Sequence, residues 1–193
     1  MKRVLSFCMA VALVASVAVA AELKSGLEPG KGIGAFDVVK CAGPDDSVEL
    51  GDTLCYRCKY SARPMVMIFT RGTDKKVAAL VKELDGAIAT SAAEEKDSKK
   101  QLAAFVSLLG TDRESLEAQA KEFGASTKAE NVPVVVPVEF ENGPENYGIN
   151  PDAAVTVIVA KDSKVTASHA FAEGDLDAKA IAAVLADVAK LTK

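Results

Sequence analysis

The feature of this sequence that most restricts its fold is the alternation of short apolar runs with helix-periodic segments. Residues 64–70, 102–109 and 134–138 are nearly continuous apolar runs, typical of strands buried on both faces of a sheet. After the first run, apolar residues recur at helical spacing at Val77, Leu80, Val81, Leu84 and Ile88. Strands that alternate with helices in this way predict an α/β fold.

The end of the chain adds a hairpin and a helix to this pattern. Residues 155–159 and 164–170 are strand-like and flank a turn at residues 161–163. Ile181 and Val184 lie on the apolar face of a final amphipathic helix. An antiparallel hairpin joined to parallel strands makes the sheet mixed, so we expect a three-layer α/β architecture with a central mixed sheet.

A second hairpin is predicted near the N-terminus. Residues 48–50 and 53–56 have strand-forming character and flank Gly51 and Asp52, a pair that suits a tight turn. We therefore expect an N-terminal β-hairpin extension ahead of the first buried strand.

Polar residues at element boundaries predict where the two internal helices begin and end. Asp74 can cap the first of them, which is expected to end near Thr90. Residues 111–114 match a capping box at the start of the next, and Gly124 is expected to stop it.

The N-terminus has the pattern of a secretory signal peptide. Lys2 and Arg3 precede an apolar run at residues 4–15, and small residues follow at Ala18 and Ala20. We expect residues 1–20 to be a signal peptide, cleaved after Ala20 or Ala21, with export to the periplasm or the medium. Residues 21–33 are then a flexible, glycine-punctuated lead-in, and residues 34–193 form the domain.

Charge excludes two classes of partner. The chain carries 23 basic and 27 acidic residues, a net charge of -4. Removal of Lys2 and Arg3 leaves 21 basic against 27 acidic residues, or -6. Such a protein has no basic surface for nucleic acid, and after signal cleavage we expect no binding to an anionic membrane. Nothing in the sequence predicts an oligomeric state.

Few side chains are available for chemistry. The chain has four cysteines, one histidine and no tryptophan. Cys8 lies in the predicted signal peptide, so the mature chain retains Cys41, Cys55 and Cys58. His169, on a predicted strand, is interpreted as a structural histidine rather than a ligand or base.

Two segments carry a resemblance to a known superfamily. The C-terminal half has Asn-Val-Pro before a strand (131–133), then Asn-Tyr-Gly-Ile (146–149) and the strand-turn-strand over residues 155–170. Residues 55–64 read Cys-Tyr-Arg-Cys-Lys-Tyr-Ser-Ala-Arg-Pro, similar to a segment of exported thioredoxin-like proteins. The chain resembles the thioredoxin-like superfamily, in its redoxin and peroxiredoxin-related branch, as a pattern over roughly residues 30–193. The resemblance implies a thioredoxin-like domain.

Departures from that superfamily concern its reactive site. Its reactive cysteine follows the first buried strand, near the start of the next helix, where amides stabilise a thiolate. Here residues 70–76 occupy that place and contain no cysteine. The tryptophan that usually precedes the redox pair is absent, and Val155 stands where a proline is expected before the strand through Val157. The usual thioredoxin and peroxidatic sites are therefore both missing.

The Cys-x-x-Cys pair at Cys55 and Cys58 instead precedes the first buried strand. Residues three apart point to opposite faces of a regular strand, so a disulfide between them requires the segment to turn. Arg57 and Lys59 flank Cys58 and Lys40 precedes Cys41, and neighbouring cations favour thiolates. One hypothesis is thiol-disulfide exchange with a protein thiol or disulfide partner, with Cys55 and Cys58 catalytic and Cys55 as the attacking thiol.

Two alternatives remain open. The first is a non-enzymatic binding or structural module whose cysteines form a stabilising disulfide. Cys41 is then either part of that disulfide, bridged to Cys55 or Cys58, or the third thiol that is left over. A bridge from Cys41 closes a loop of about 15 residues and stabilises the fold by about 3 kcal/mol. The second is binding of a soft metal such as Cu(I) by the three sulfurs, for which no fourth ligand is evident. No cofactor is assigned.

Overall fold

A computed structural model describes residues 23–192; the predicted signal peptide lies outside the described residues. The strands are β1 (Val38–Ala42), β2 (Thr53–Leu54), β3 (Met65–Thr70), β4 (Ala103–Leu108), β5 (Val134–Pro137), β6 (Val155–Lys161) and β7 (Lys164–Phe171). The helices are α1 (Tyr56–Tyr60), α2 (Lys75–Glu94), α3 (Arg113–Thr127) and α4 (Ala178–Val188), with a 3-10 turn at Glu145–Tyr147.

The strands form one seven-stranded sheet in the order β2-β1-β5-β4-β3-β6-β7. β3 pairs with β4, and β4 with β5, in parallel. The other neighbours are antiparallel, so the predicted mixed sheet is confirmed. The predicted C-terminal hairpin is also confirmed, with left-handed backbone at Asp162 (φ 52°) and Ser163 (φ 61°) in its turn.

The two faces of the sheet are covered differently. On one face, alternate strand residues such as Val66 and Ile68 pack against α2, α3 and α4. On the opposite face, Met65, Met67 and Phe69 pack against shorter pieces of chain. Those pieces are the segment before β1 (Ile33 and Phe36), helix α1 (Tyr56 and Tyr60) and the 3-10 turn (Tyr147). The three layers are thus helices, sheet, and a layer of short segments that contains α1.

The N-terminal hairpin exists, but its predicted first strand is wrong. Residues 48–50 are not a strand; the partner of β2 is β1, with Val38 opposite Leu54. Residues 43–52 instead form a loop around the buried ammonium of Lys40, which bonds the carbonyl oxygens of Pro44 and Val48. These hydrogen bonds hold residues 48–50, which were predicted to form a strand, in the loop.

Helix boundaries differ from the prediction for local reasons. Asp74 caps α2 as expected, but the helix continues beyond Thr90 to Glu94. Helix α3 is capped by Asp112, whose side chain accepts from the Ser115 amide, rather than by Thr111. It also passes through Gly124 and ends at Thr127. Gly124 allows close packing and does not stop the helix: a Cβ there would lie 2.3 Å from Cβ of Ala42.

The lead-in is hydrogen bonded to the sheet and to the loop before β6. The amide of Ile33 donates to the Ser163 carbonyl at 3.0 Å, and that of Gly26 to the Gly148 carbonyl at 3.0 Å. The division between lead-in and domain at residue 33 stays a prediction. Over residues 23–192, no helix has both the length and the apolar character that a bilayer span requires.

Candidate functional site

Cys55 and Cys58 form a disulfide at the start of α1, with 2.11 Å between their sulfur atoms. Cys55 is the N-cap of the helix, and its Sγ accepts a hydrogen bond from the Cys58 amide at 3.1 Å. The turn that a disulfide at this spacing requires is therefore present, as a helix. The strand predicted over residues 53–56 ends at Leu54, and Tyr56 already belongs to α1.

Two tyrosines fix the orientation of α1. Tyr56 and Tyr60 are one helical turn apart and share the face that packs on the sheet. Their rings lie 5.8 Å and 6.2 Å from the ring of Phe105 on β4. Successive helical residues are about 100° apart, so Cys58 lies on the side opposite Tyr56. Accordingly Cys58 is exposed, whereas Cys55 is half-buried.

Arg57 and Lys59 lie on either side of Cys58, and each is held by a backbone carbonyl. Arg57 Nε donates to the Ile33 carbonyl at 3.1 Å. Lys59 Nζ donates to the Asp46 carbonyl at 2.6 Å. Among the described residues, neither cation forms an ion pair with a carboxylate. Lys59 is near enough to the Asp46 carboxylate to help lower its pKa, but that carboxylate is paired with Lys40.

A largely buried ion pair lies near the same helix. Lys40 Nζ is 2.7 Å from Asp46 Oδ1, and their side chains are 2% and 18% exposed. Burial alone would raise the pKa of Asp46, but Lys40, with smaller contributions from Tyr56 and Lys59, lowers it below its usual value. Burial, together with the nearby Asp46 carboxylate, raises the pKa of the Tyr56 hydroxyl. The Tyr56 hydroxyl therefore stays neutral, which suits a side chain that packs α1 against the sheet.

Cys41 is a free, buried thiol in the core on the helix-covered face of the sheet. The Cys55–Cys58 pair lies on α1, against the opposite face. The alternative bridge from Cys41 to either of them is therefore not formed, and Cys41 is the third, unbridged thiol. The expectation that Lys40 favours a Cys41 thiolate is also wrong: burial, with a smaller contribution from Glu117, raises the pKa of Cys41 to about 11.

The three sulfurs do not converge. Within residues 23–192 there is no group of three or more His, Cys, Asp or Glu residues arranged to hold a metal ion. The alternative of a soft-metal site built from Cys41, Cys55 and Cys58 has no geometric support, because a β-sheet separates Cys41 from the disulfide.

The loop between β3 and α2 is the place where the resembled superfamily carries its reactive cysteine. Here Arg71 Nη1 donates to the Glu141 carbonyl at 2.9 Å, and Asp74 caps α2. In the described part of the chain no peptide bond is cis. His169, on β7, has Nε2 3.0 Å from Asp187 Oδ2, and β7 is at the edge of the sheet opposite β2.

The two cysteines are recognisable from the sequence, but the residues that position them are not. The spacing of Tyr56 and Tyr60, four residues apart, is a helical signal that could have revealed α1. Lys40 and Asp46 carried no recognisable signal, because a charged residue in a strand is ordinarily read as solvent-facing.

Solved structures resemble this chain in fold. One is described as a thiol:disulfide interchange protein DsbE of Chlorobium tepidum, with TM-score 0.56, 15% identity and coverage of 84% of this chain and 99% of that one. A yeast mitochondrial 1-Cys peroxiredoxin has TM-score 0.55, 11% identity and coverage of 86% and 78%. The exposed lipoprotein thioredoxin Etrx1 of Streptococcus pneumoniae has TM-score 0.50, 19% identity and coverage of 81% and 99%.

Comparisons of sequence alone gave no match, either with protein-family models or with curated proteins. The structural similarity confirms the thioredoxin-like, redoxin-type fold that the sequence predicted. At these identities the similarity concerns the fold alone.

Proposed function

We propose that this thioredoxin-fold protein is an exported thiol-disulfide exchange protein whose reactive pair, Cys55 and Cys58, is displaced to the N-terminal side of the first buried strand. The observation that carries the proposal is the disulfide on α1, which leaves Cys58 exposed on the side away from the sheet. Structural disulfides are commonly buried, whereas an exchanging disulfide must be reached by an external thiolate.

The exposure of the two cysteines supports one order of events. A partner thiolate attacks Sγ of Cys58, the Cys55–Cys58 bond breaks, and Cys55 leaves as a thiolate. The Cys58 amide, which bonds Cys55 Sγ at 3.1 Å, stabilises that leaving group. This order gives Cys58 the attacking role, in the reverse reaction, that the sequence analysis gave to Cys55.

A second partner thiolate completes the reaction. It attacks the partner sulfur of the mixed disulfide, so Cys58 is released and the partner leaves as a disulfide. The two protons of the partner thiols end on Cys55 and Cys58. The reverse sequence reduces a partner disulfide and re-forms the Cys55–Cys58 bond, so atoms and electrons balance in both directions.

Export and the partner follow from the sequence pattern. A signal peptide at residues 1–20 with cleavage after Ala20 or Ala21 delivers the chain to the periplasm or the medium. Disulfides persist in those compartments, so the partner proposed is an exported protein thiol or disulfide.

A second candidate is a binding or structural module in which the disulfide only stabilises α1. It is favoured by the short length of α1, five residues, since so short a helix is marginal without tertiary support. The bridge closes a loop of about four residues, for which the chain-entropy model gives about 2 kcal/mol. Replacement of both cysteines by serine without a change in melting temperature would exclude this candidate.

Single-cysteine variants test the exchange function. Reduced Cys55→Ser, which retains Cys58, is incubated with oxidised glutathione and analysed by mass spectrometry, in parallel with Cys58→Ser. We expect Cys55→Ser to accumulate a mixed disulfide at Cys58 much faster than Cys58→Ser does at Cys55. Cys41→Ala in both backgrounds removes the remaining thiol. Failure of both variants to form a mixed disulfide would leave only the structural candidate.

A further inference from the structure

Helix α1 presents two fixed cations around the exposed cysteine. Cys58 points away from the sheet because Tyr56 and Tyr60 occupy the inner face of α1. Arg57 and Lys59, its neighbours in sequence, are about 100° to either side of it on the helix. An incoming thiolate that reaches Cys58 therefore approaches between a guanidinium and an ammonium.

The partners of these cations leave their charge intact. Arg57 is bound to the Ile33 carbonyl of the lead-in and Lys59 to the Asp46 carbonyl of the β1–β2 loop. Carbonyl oxygens are neutral, so both side chains are positioned without being neutralised. The Asp46 carboxylate, whose pKa Lys59 also helps to lower, is paired with Lys40.

This arrangement is local. The whole chain is acidic, with a net charge of -4, and the loop beside α1 carries the exposed acids Asp45, Glu49 and Asp52. A general attraction for anions is therefore not expected. Two fixed positive charges beside the reacting sulfur would attract a negative group carried by the attacking molecule. Salt in the solution would weaken this attraction.

We infer that the exchange site selects partner thiols that carry a carboxylate or another anionic group next to the sulfur, such as a cysteine in an acidic peptide segment. The inference rests on the proposed exchange function and adds the chemistry of its partner. Arg57 and Lys59 act as specificity-determining residues, because they contact the partner's charge and take no part in the bond exchange.

Small thiols of different charge test this selection on the oxidised, folded protein. The rates of reduction by mercaptoethanesulfonate (anionic), mercaptoethanol (neutral) and cysteamine (cationic) are measured per thiolate, at low and high salt. We expect the anionic thiol to reduce the disulfide faster, per thiolate, than the cationic thiol does. In the double variant Arg57→Gln with Lys59→Gln, the anionic-to-cationic rate ratio should fall by about three- to tenfold at low ionic strength and much less at high salt.

Two control variants separate charge at the site from other effects. Arg57→Lys with Lys59→Arg keeps both charges and should keep the ratio. Lys82→Gln with Lys179→Gln removes the same total charge from exposed positions of α2 and α4, on the opposite face of the sheet, and should also keep it.

The outcomes distinguish this inference from the function it rests on. Exchange that is rapid with all three thiols, with the same ratio in wild type and in the Arg57 and Lys59 glutamine variant, overturns the selection and leaves the exchange function intact. Absence of exchange with any thiol while the protein stays folded overturns both.

Discussion

Lys40 Nζ lies 2.7 Å from Asp46 Oδ1, and the lysine side chain is only 2% exposed. The same ammonium bonds two carbonyl oxygens of the β1–β2 loop, so one buried cation holds the loop that abuts α1. Lys40→Met would leave the Asp46 carboxylate without its compensating charge. We expect the free energy of unfolding, measured with urea, to fall by about 3 to 5 kcal/mol.

Lys82→Met is the matched control for this loss, because Lys82 is exposed on α2. Lys82→Met should change the free energy of unfolding by no more than about 0.5 kcal/mol. A cost for Lys40→Met no larger than that for Lys82→Met would contradict the structural role given to the buried pair.

The Asp46 carboxyl also predicts a pH dependence. Burial opposes ionisation, but Lys40, Tyr56 and Lys59 together outweigh it, so the pKa of Asp46 is lower in the folded chain than its usual value. A carboxyl with a lowered folded-state pKa stabilises the fold above about pH 4, and this stabilisation is lost as the pH falls through the folded-state pKa. The difference in unfolding free energy between wild type and Asp46→Asn should therefore be large at pH 7 and shrink towards pH 3. An equal difference at both pH values would refute the assignment.

Two glycines in helices give opposite predictions for the same substitution. A Cβ at Gly124 would lie 2.3 Å from Cβ of Ala42, whereas one at Gly86 meets nothing within 4 Å. Gly124→Ala should lower the free energy of unfolding by about 1 to 3 kcal/mol, because α3 must move away from β1. Gly86→Ala should raise it by about 0.5 to 1 kcal/mol, because alanine favours the helix. Thermal and urea unfolding of both variants check the pair, and equal effects would be inconsistent with the packing of α3.

The sequence predicted those parts of the fold that follow from periodicity. The apolar runs became β3, β4 and β5, and the hairpin of β6 and β7 was found with its turn at residues 161–163. Residues 48–50 and 55–56 were wrongly predicted to be in strands, because their conformation depends on tertiary contacts. The loop of residues 43–52 bonds the ammonium of Lys40. Tyr56 and Tyr60 hold helix α1 against Phe105, although the residues before Arg57 have strand-forming character.

The candidate site was predicted in part for the same reason. Cys55 and Cys58 are a local pair, so their spacing was visible in the sequence. Whether Cys41 could pair with them depended on which face of the sheet its side chain occupies. β1 has only five residues and an irregular register, so its sequence periodicity does not determine that face.

Cys41 should be inert in the folded protein. Its side chain is buried and its pKa is raised to about 11, first by burial and then by Glu117, so little thiolate exists at pH 8. We expect Ellman's reagent to label no thiol in the native, oxidised chain lacking residues 1–20 and one thiol per chain after denaturation. Rapid labelling of Cys41 in the native state would show that the thiol is accessible and contradict its placement in the core.

The most direct test of the central claim is native-state reduction of the Cys55–Cys58 disulfide. The oxidised chain lacking residues 1–20 is held in millimolar dithiothreitol, alkylated at intervals and mapped by mass spectrometry, while circular dichroism follows the fold. The account predicts that Cys55 and Cys58 become alkylated together within minutes while the protein stays folded and Cys41 stays unlabelled. A bridge that resists reduction until the protein unfolds would contradict the exchange function.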